Sequence, residues 1–203
     1  MEAYLVTDRR LASAEFLARL LTEAAVAGVD RIQVREKDLE GRALLHLVRE
    51  ALQAVRGSRA TVFVNDRLDV AMAAAAHGAH LGRASLPADV ARKVAGEDLV
   101  LGVSTHTLEE AMEAQDLGAD YLFFGPVFPT ASKVAWGPPL GIPKLEALLK
   151  RARVPVYAIG GIGPENLDQL RGLPLAGAAM ISAYVRAPSV PELIRQVHGV
   201  AWK

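Results

Sequence analysis

The most constraining feature of this sequence is a repeated alternation of short β-rich runs with segments of helical spacing. Between the runs, Leu and Ala recur three and four positions apart, as at Leu17, Leu20 and Leu21. Most runs are continuously apolar rather than alternating, which is typical of parallel strands that are buried on both faces. The eight runs lie at 3–7, 31–35, 61–65, 79–81, 99–104, 120–125, 154–160 and 177–182.

Eight strand–helix units in 203 residues predict an α/β fold, a closed (β/α)8 TIM barrel. Such barrels typically need about 250 residues, so the connections must be short. No polar linker or charge block divides the chain, and we expect a single barrel domain over residues 1–203. An open doubly wound sheet is the alternative, but eight units favour closure.

Residues at the expected helix ends support this division. Thr107 precedes an acidic first turn and Glu110 follows three positions later, as in a capping box. Pro164 lies near the expected start of a later helix. Glycines stand where three helices are expected to stop, at Gly28, Gly78 and Gly118.

Charge and composition narrow the class of partner. The 23 basic residues balance the 23 acidic ones, so no global field attracts nucleic acid or an anionic membrane, and any anion site must be local. The chain has no cysteine, no apolar stretch long enough to span a bilayer and no secretory pattern in "MEAYLVTDRR". We therefore expect a cytoplasmic protein, with a homodimer plausible by base rate.

Polar residues cluster where the second, third and fifth strands end, the rim at which barrel active sites form. In "QVREK", Gln33, Arg35 and Lys37 share a face as far as the chain stays extended, and inward polar groups are costly unless a ligand meets them. The alternative is a charged strand end in solvent. "VNDR" adds Asn65 and Asp66, which could equally cap the next helix.

The fifth strand ends in "GVSTH". Ser104 can hydrogen-bond a ligand there. His106 is a candidate general base, although no partner carboxylate is identifiable from the sequence and a surface position is the simpler interpretation.

The sixth strand ends in "FFGPVFPTASK", and the following loop is long for such an economical barrel. Thr130, Ser132 and Lys133 in this loop can surround phosphate oxygens. The alternative is an exposed loop with an incidental lysine.

Two later strand ends predict a second anion region. The seventh strand ends in "AIGGIGPEN", where Gly160 and Gly161 let the backbone approach an anion and a helix start would supply free N–H groups. Ser182, after the eighth strand, can add a hydroxyl.

The first region combines cations with Asp66, which would act on a diphosphate through a divalent metal. A diphosphate–metal site beside a monophosphate site indicates a transferase that joins two phosphorylated molecules.

The motifs resemble, in order and across nearly the whole chain, those of the thiamine phosphate synthase/TenI superfamily. They are "QVREK", "VNDR", "AHLG", "GVSTH", "FGPVFPTASK", "YAIGGI" and "MISA". The resemblance implies that a pyrimidine diphosphate is coupled to a thiazole phosphate, with Mg²⁺ as cofactor, in a dissociative displacement that releases pyrophosphate. His106 need not be catalytic in such a reaction.

The resemblance also implies site residues. One set meets the pyrimidine diphosphate: Gln33, Asn65 and Ser104 at the pyrimidine and nearby diphosphate, Arg35, Lys37 and Lys133 at the diphosphate, and Asp66 at Mg²⁺. The other set binds the thiazole phosphate side: Thr130 and Ser132 in the loop, at that phosphate or the pyrophosphate, and Gly160, Gly161, Ile181 and Ser182 after strands seven and eight.

One position departs from the synthase pattern. Synthases generally carry a second acidic Mg²⁺ ligand after strand four, whereas "HLGRAS" places Ser85 there, with Arg83 nearby. A serine at this position is similar to the TenI side, which includes thiazole tautomerases and a protein once named as a regulator. The histidine that such a tautomerase carries in the strand-six motif is Pro126 here, and "QVREK" is synthase-like. The coupling enzyme is the favoured hypothesis and a non-coupling TenI-type protein the alternative.

Overall fold

The computed structural model describes residues 1–130 and 138–200. Across these residues, eight parallel strands pair in sequence order and close into a barrel, with the last strand paired to the first. The closed barrel confirms the predicted α/β TIM fold and makes the open sheet wrong. The strands are β1 Glu2–Val6, β2 Arg31–Val34, β3 Thr61–Asn65, β4 Gly78–Leu81, β5 Val100–Thr105, β6 Tyr121–Phe124, β7 Val156–Ile159 and β8 Gly177–Met180.

Helices follow the strands on the outside of the barrel. In the part of the chain that the structure describes, 3-10 helices lie at Arg9–Leu11 after β1 and at Leu167–Leu170 after β7. Among the described residues, no helix has both the length and the apolar content needed to cross a membrane. The α-helices are α1 Ala14–Val26, α2 Gly41–Ala54, α3 Leu68–Ala74, α4 Ala88–Ala95, α5 Leu108–Asp116, α6 Gly141–Leu149, α7 Ser182–Arg186 and α8 Val190–Gly199.

The cap predicted at α5 is present in a modified form. The Thr107 hydroxyl accepts the Glu110 N–H at 3.1 Å, as a capping residue should. The Glu110 carboxylate, however, accepts the N–H of His106 at 2.7 Å, one residue before the cap. This second bond ties the end of β5 to the first turn of α5.

Two of the three predicted helix-stop glycines are confirmed. Gly28 and Gly118 follow α1 and α5 with φ of 88° and 93°, which a glycine adopts without steric cost. The prediction for Gly78 is wrong. The helix α3 ends at Ala74, and Ala75 takes the left-handed conformation with φ of 54°. Gly78 is the first residue of β4. The run of alanines hid this boundary because every residue in it favours a helix equally.

The barrel interior is filled by aromatic rings, whereas aliphatic side chains fill the space between barrel and helices. A glycine makes room for one of the rings. A Cβ at Gly102 would lie 2.0 Å from Cζ of Tyr121, so only a glycine at this position of β5 leaves room for the Tyr121 ring. The buried interior aromatic residues are Tyr4, Phe63, Tyr121, Phe123 and Tyr157.

The amino-terminal end of the barrel is closed by a partly buried cation. The Arg31 guanidinium lies 5.0–5.3 Å from the ring centroids of Phe63, Tyr121 and Tyr157. It also pairs with Glu2 at 2.9 Å, and the Tyr157 hydroxyl donates to the same carboxylate. A ligand therefore has to be sought at the opposite end, where the strands finish.

Candidate active site

Three polar side chains predicted from two separate motifs are joined at the carboxyl ends of β2 and β3. The Gln33 amide donates from Nε2 to Asn65 Oδ1 at 2.8 Å. Asn65 in turn donates from Nδ2 to Asp66 Oδ2 at 2.7 Å. The strand register pairs Gln33 with Phe63, two residues before Asn65, so the two amides meet diagonally across β2 and β3. The chain of amides orients the carboxylate at the barrel mouth.

One oxygen of Gln33 is buried and unpaired in the described part of the chain. Gln33 is 1% exposed, and its Oε1 is buried without a hydrogen-bond partner among the described residues. Leaving a buried acceptor unpaired costs about 1–3 kcal/mol. A ligand that donates a hydrogen at this point would recover that energy.

Asp66 is built into the mouth and does not cap the next helix. Its backbone has φ of 60°, an uncommon value for a residue with a side chain. Its Oδ1 accepts the N–H of Gly82 at 3.0 Å and the hydroxyl of Ser85. The capping position of α3 is Arg67, without a side-chain cap bond, so the capping alternative for Asn65 and Asp66 is wrong.

The oxygen atoms of Asp66 and Ser85 fit a cation whose remaining ligands are oxygens of water and substrate. Within residues 1–130 and 138–200 there is no group of three or more His, Cys, Asp or Glu side chains that could hold a metal. Mg²⁺, however, is commonly bound through one or two carboxylates, waters and substrate phosphates. Asp66, with the Ser85 hydroxyl beside it, fits that mode.

The cations of "QVREK" do not share one face throughout. β2 ends at Val34, so the expected alternation stops before Lys37, which is exposed in a turn. Arg35 is partly buried, with Nη1 3.7 Å from Asp8 Oδ2. The ion pairs lower the pKa of Asp8, chiefly through Arg10 and to a smaller extent through Arg35.

Glu36, between these cations, has a structural role that the sequence did not reveal. It is 4% exposed, and its Oε2 accepts the N–H of Arg9 at 2.8 Å. Burial raises the pKa of this carboxyl. Glu36 thereby fixes the segment after β1 against the end of β2, so it is not part of a solvated charge run.

Ser104 lies at the end of a buried hydrogen-bond chain. Its hydroxyl is 2.8 Å from Nε2 of His80, and Nδ1 of His80 is 3.0 Å from the Tyr121 hydroxyl. The backbone carbonyl of His80 also accepts the N–H of Asp66 at 2.9 Å, which joins this chain to the amide chain. Burial, with a smaller contribution from Arg35, lowers the pKa of His80 to about 3.

His80 was missed because "AHL" reads only as a strand, and its single signal is a polar residue in an otherwise apolar run. Its 1% exposure follows from barrel closure and not from its neighbours in sequence.

His106 has the carboxylate neighbour that the sequence did not identify. Its Nδ1 lies 3.4 Å from Glu110 Oε2. Both residues line a cavity of about 270 Å³ that also reaches Ser85 and Ser104. The position beside α5 gives His106 a structural partner at the helix start, next to the mouth.

The first part of the loop after β6 packs on the end of β7. The N–H of Phe128 donates to the Gly160 carbonyl at 3.0 Å. A Cβ at Gly160 would lie 2.5 Å from Cβ of Pro126, and one at Gly161 would lie 2.5 Å from the Pro129 carbonyl oxygen. The paired glycines are thus required by the approach of this loop.

Thr130, at the end of this part, is half-buried. Ser132 and Lys133 lie outside the described residues.

The segment after Gly161 differs from the prediction, which placed the start of a helix there. The residues after β7 form turns and the 3-10 helix, and Asn166 ties them by accepting the Gly163 N–H and donating to the Gly161 carbonyl. An α-helix, α7, begins directly after β8, with Ile181 as the capping residue and Ser182 as the first residue. Any helix N–H groups near the second anion region therefore come from the segment after β8.

The family model described as thiamine monophosphate synthase matches residues 3–184 of this chain. The chain belongs to the thiamine monophosphate synthase family. This membership confirms the resemblance seen in the seven motifs.

Several relatives of this thiamine monophosphate synthase family member match over nearly the full length. A putative thiamine-phosphate synthase of Geobacter sulfurreducens is 42% identical over 192 residues, 95% of this chain and 90% of the relative. The thiamine-phosphate synthase of Moorella thermoacetica is 39% identical over 199 residues, 98% and 95% of the two chains. The solved thiamine phosphate pyrophosphorylase from Pyrococcus furiosus has a TM-score of 0.88 at 35% identity, covering 98% of this chain and 94% of that one.

Proposed function

We propose that this chain is a thiamine phosphate synthase. It couples 4-amino-2-methyl-5-hydroxymethylpyrimidine diphosphate to 4-methyl-5-hydroxyethylthiazole phosphate and releases pyrophosphate. The observation that carries the proposal is the buried, unpaired Oε1 of Gln33, linked through Asn65 to the Asp66 carboxylate. An acceptor for an amino group and an anchor for a phosphate-bound cation thus stand side by side, and the named relatives support the same reaction.

The coupling balances without a general base. The bond between the pyrimidine methylene carbon and the diphosphate oxygen breaks, and pyrophosphate leaves with both electrons. The lone pair of the thiazole nitrogen then forms the new C–N bond. Charge on the departing group is what the protein has to stabilise, and Arg35, Lys37 and Lys133 are assigned to this task.

The remaining residues hold the two substrates in line. On the pyrimidine side, Gln33 accepts from the amino group, while Asn65 and Ser104 bind nearby. The thiazole phosphate side is assigned to Thr130, Ser132, Gly160, Gly161, Ile181 and Ser182.

Asp66, with Ser85 beside it, is the proposed anchor for Mg²⁺. When bound, Mg²⁺ adds positive charge at the oxygens of the leaving pyrophosphate. One carboxylate supplies less charge than two, so binding of Mg²⁺ at Asp66 would depend more on the substrate phosphates.

The deciding experiment mixes purified protein with both phosphorylated halves and Mg²⁺, and measures thiamine phosphate and pyrophosphate. We expect both products in equal amounts. Arg35→Met removes a proposed contact to the leaving group and should lower turnover on the order of a hundredfold. Arg195→Met, an exposed change on α8, is the matched control. Binding of the thiazole phosphate without product would disprove the coupling function.

A TenI-type tautomerase is the second candidate, and Ser85 in place of an acidic ligand is the observation that favours it. Such an enzyme aromatises a thiazole carboxylate phosphate and has no need of cations for a diphosphate. The same protein preparation should leave that substrate unchanged, and its conversion in the absence of coupling would favour the tautomerase.

A further inference from the structure

We propose that Tyr4, Tyr121 and His80 form a hydrogen-bond relay of fixed direction that leaves the hydroxyl hydrogen of Ser104 pointing at the bound substrate. His80 is then a positioning residue, and the site selects a ligand atom that accepts a hydrogen bond from Ser104. Only the identity of that ligand rests on the proposed function, since the relay belongs to the protein itself.

The relay runs across the barrel interior through three consecutive contacts. The hydroxyl oxygens of Tyr4 and Tyr121 are 2.8 Å apart, Tyr121 is 3.0 Å from His80 Nδ1, and His80 Nε2 is 2.8 Å from Ser104. Tyr4, Tyr121 and His80 are each at most 1% exposed. Solvent cannot replace a partner in this chain, so each hydrogen must go to a protein acceptor.

The direction follows from the buried end. Among the described contacts, the Tyr4 hydroxyl has one acceptor, the oxygen of Tyr121. Arg31, a charged group that acts electrostatically on Tyr4, carries only donors. Tyr4 therefore donates to Tyr121, and Tyr121 uses its own hydrogen toward Nδ1 of His80.

The histidine transmits this direction. His80 is sealed from water with hydroxyl partners at both nitrogens, which is the setting of a neutral ring. A neutral imidazole that accepts at Nδ1 carries its hydrogen on Nε2 and donates it to Ser104. The reverse direction would leave the Tyr4 hydrogen buried without an acceptor.

Packing holds the ring in this orientation. The His80 ring lies on Phe123, with 4.1 Å between ring centroids and 40° between planes. The Tyr121 ring occupies the space that Gly102 leaves free. Neither ring can turn without displacing the interior, so the relay keeps one arrangement.

The consequence concerns ligand chemistry. Ser104 already accepts from His80, and its remaining hydrogen is free to be donated into the mouth. A ring nitrogen of the pyrimidine or an oxygen of the diphosphate would satisfy it, whereas a ligand donor at this position would meet another donor.

The first test reads the tautomer of His80 directly, by ¹⁵N nuclear magnetic resonance of the ligand-free protein. We expect the hydrogen on Nε2 in the unmodified protein. Tyr121→Phe removes the donor to Nδ1 and should abolish this preference. Tyr4→Phe is the matched control, because Tyr121 can still donate to Nδ1, and its tautomer should be unchanged. A hydrogen on Nδ1 in the unmodified protein would overturn the relay.

The second test locates the acceptor by measuring affinity for hydroxymethylpyrimidine and, separately, for pyrophosphate with Mg²⁺. Ser104→Ala and Tyr121→Phe should weaken the same one of these two ligands by roughly threefold to tenfold, while Tyr4→Phe leaves both unchanged. The double variant Ser104→Ala/Tyr121→Phe should be no weaker than Ser104→Ala alone. Full affinity of Tyr121→Phe for the ligand that Ser104→Ala weakens would overturn the positioning role.

The two tests separate this inference from the proposed function. A protein with the Nε2 tautomer that forms no thiamine phosphate would disprove the coupling reaction and leave the relay in place. A coupling enzyme with the Nδ1 tautomer would do the opposite.

Discussion

At the scale of single residues, the mouth of the barrel is defined by how each carboxylate is satisfied. Asp66 accepts from Asn65, Gly82 and Ser85, and these bonds keep it oriented in a cleft that is open to a ligand. Glu36 is also a carboxylate near this rim, but it is buried and serves the backbone. The same functional group thus faces the mouth, with a proposed binding role, at one position and has a structural role at the other.

Replacing Ser85 by Asp should strengthen Mg²⁺ binding. The new carboxylate would lie beside Asp66, where the Ser85 hydroxyl now donates, and added ligand charge increases affinity for a divalent cation. We expect the Mg²⁺ concentration for half-maximal coupling to fall about tenfold. Ala84→Asp, in the same loop at an exposed position, is the control. Identical Mg²⁺ titrations for the three proteins would show that position 85 is not at the metal.

Glu36→Gln should change how stability depends on pH. Burial raises the pKa of Glu36 above its usual 4.5, so the folded state holds this proton more strongly than the unfolded chain does. The free energy of unfolding of the unmodified protein therefore falls as pH rises from 4.5 through the raised pKa, whereas this fall is absent from the glutamine variant. Urea unfolding at several pH values should show the variant gaining relative to the unmodified protein over this window. A difference that is the same at every pH would contradict this account.

At the scale of elements, the loop after β6 and the end of β7 work as one unit. The loop reaches β7 through Val127 and Phe128, and their N–H groups donate to the carbonyls of Ile159 and Gly160. The proposed second anion region would therefore be shaped by two elements that are brought together only when the barrel closes. Their contact depends on the two glycines, Gly160 and Gly161.

Gly161→Ala should impair thiazole phosphate binding more than stability. The added Cβ would lie 2.5–2.6 Å from the carbonyl oxygens of Pro129 and Phe128, so the loop must move. We expect a roughly tenfold rise in KM for the thiazole phosphate, since small misplacements of binding groups are costly. Gly172→Ala is the matched control: it shares the positive φ, at 81°, but has nothing within 4 Å of the new atom. Equal KM values for the two variants would separate the loop from the phosphate site.

At the scale of the whole molecule, closure depends on filling the interior with rings of the right size. Tyr121 illustrates this because it contacts Tyr4, Phe63, Phe123 and Tyr157 at ring-centroid distances of 5.5–6.1 Å. The same ring supplies the hydroxyl between Tyr4 and His80. Packing and polarity at the centre of the barrel are thus properties of one set of side chains.

Gly102→Ala should destabilise the entire barrel. Its Cβ would overlap the Tyr121 ring, which has no free space to enter, and overpacking of this kind costs about 3 kcal/mol. Gly199→Ala, at the end of α8 with nothing within 4 Å, should change stability by less than about 0.5 kcal/mol. Urea unfolding of both variants measures this contrast. Similar midpoints for the two would mean that the interior can relax around the added methyl group.

Much of the mouth was predictable because a barrel brings all strand ends to one rim. Gln33, Asn65 and Ser104 lie near the ends of strands that are far apart in sequence, and Asp66 follows one of them, so their convergence followed once eight units were recognised. Lys37 was placed less well, because the point at which an extended strand becomes a turn depends on contacts and not on alternation.

The order of the elements, the number of units and the polarity of the rim were determined by the sequence alone, since they depend on hydrophobic periodicity and on residue type at each strand end. The tertiary structure alone decided which groups become partners. Tyr4 and Tyr121 are 117 positions apart and His80 and Tyr121 are 41 apart, and only the strand register of the closed barrel brings them to hydrogen-bond distance. Burial then gives these polar groups a single arrangement, because each hydrogen needs an acceptor that water cannot supply.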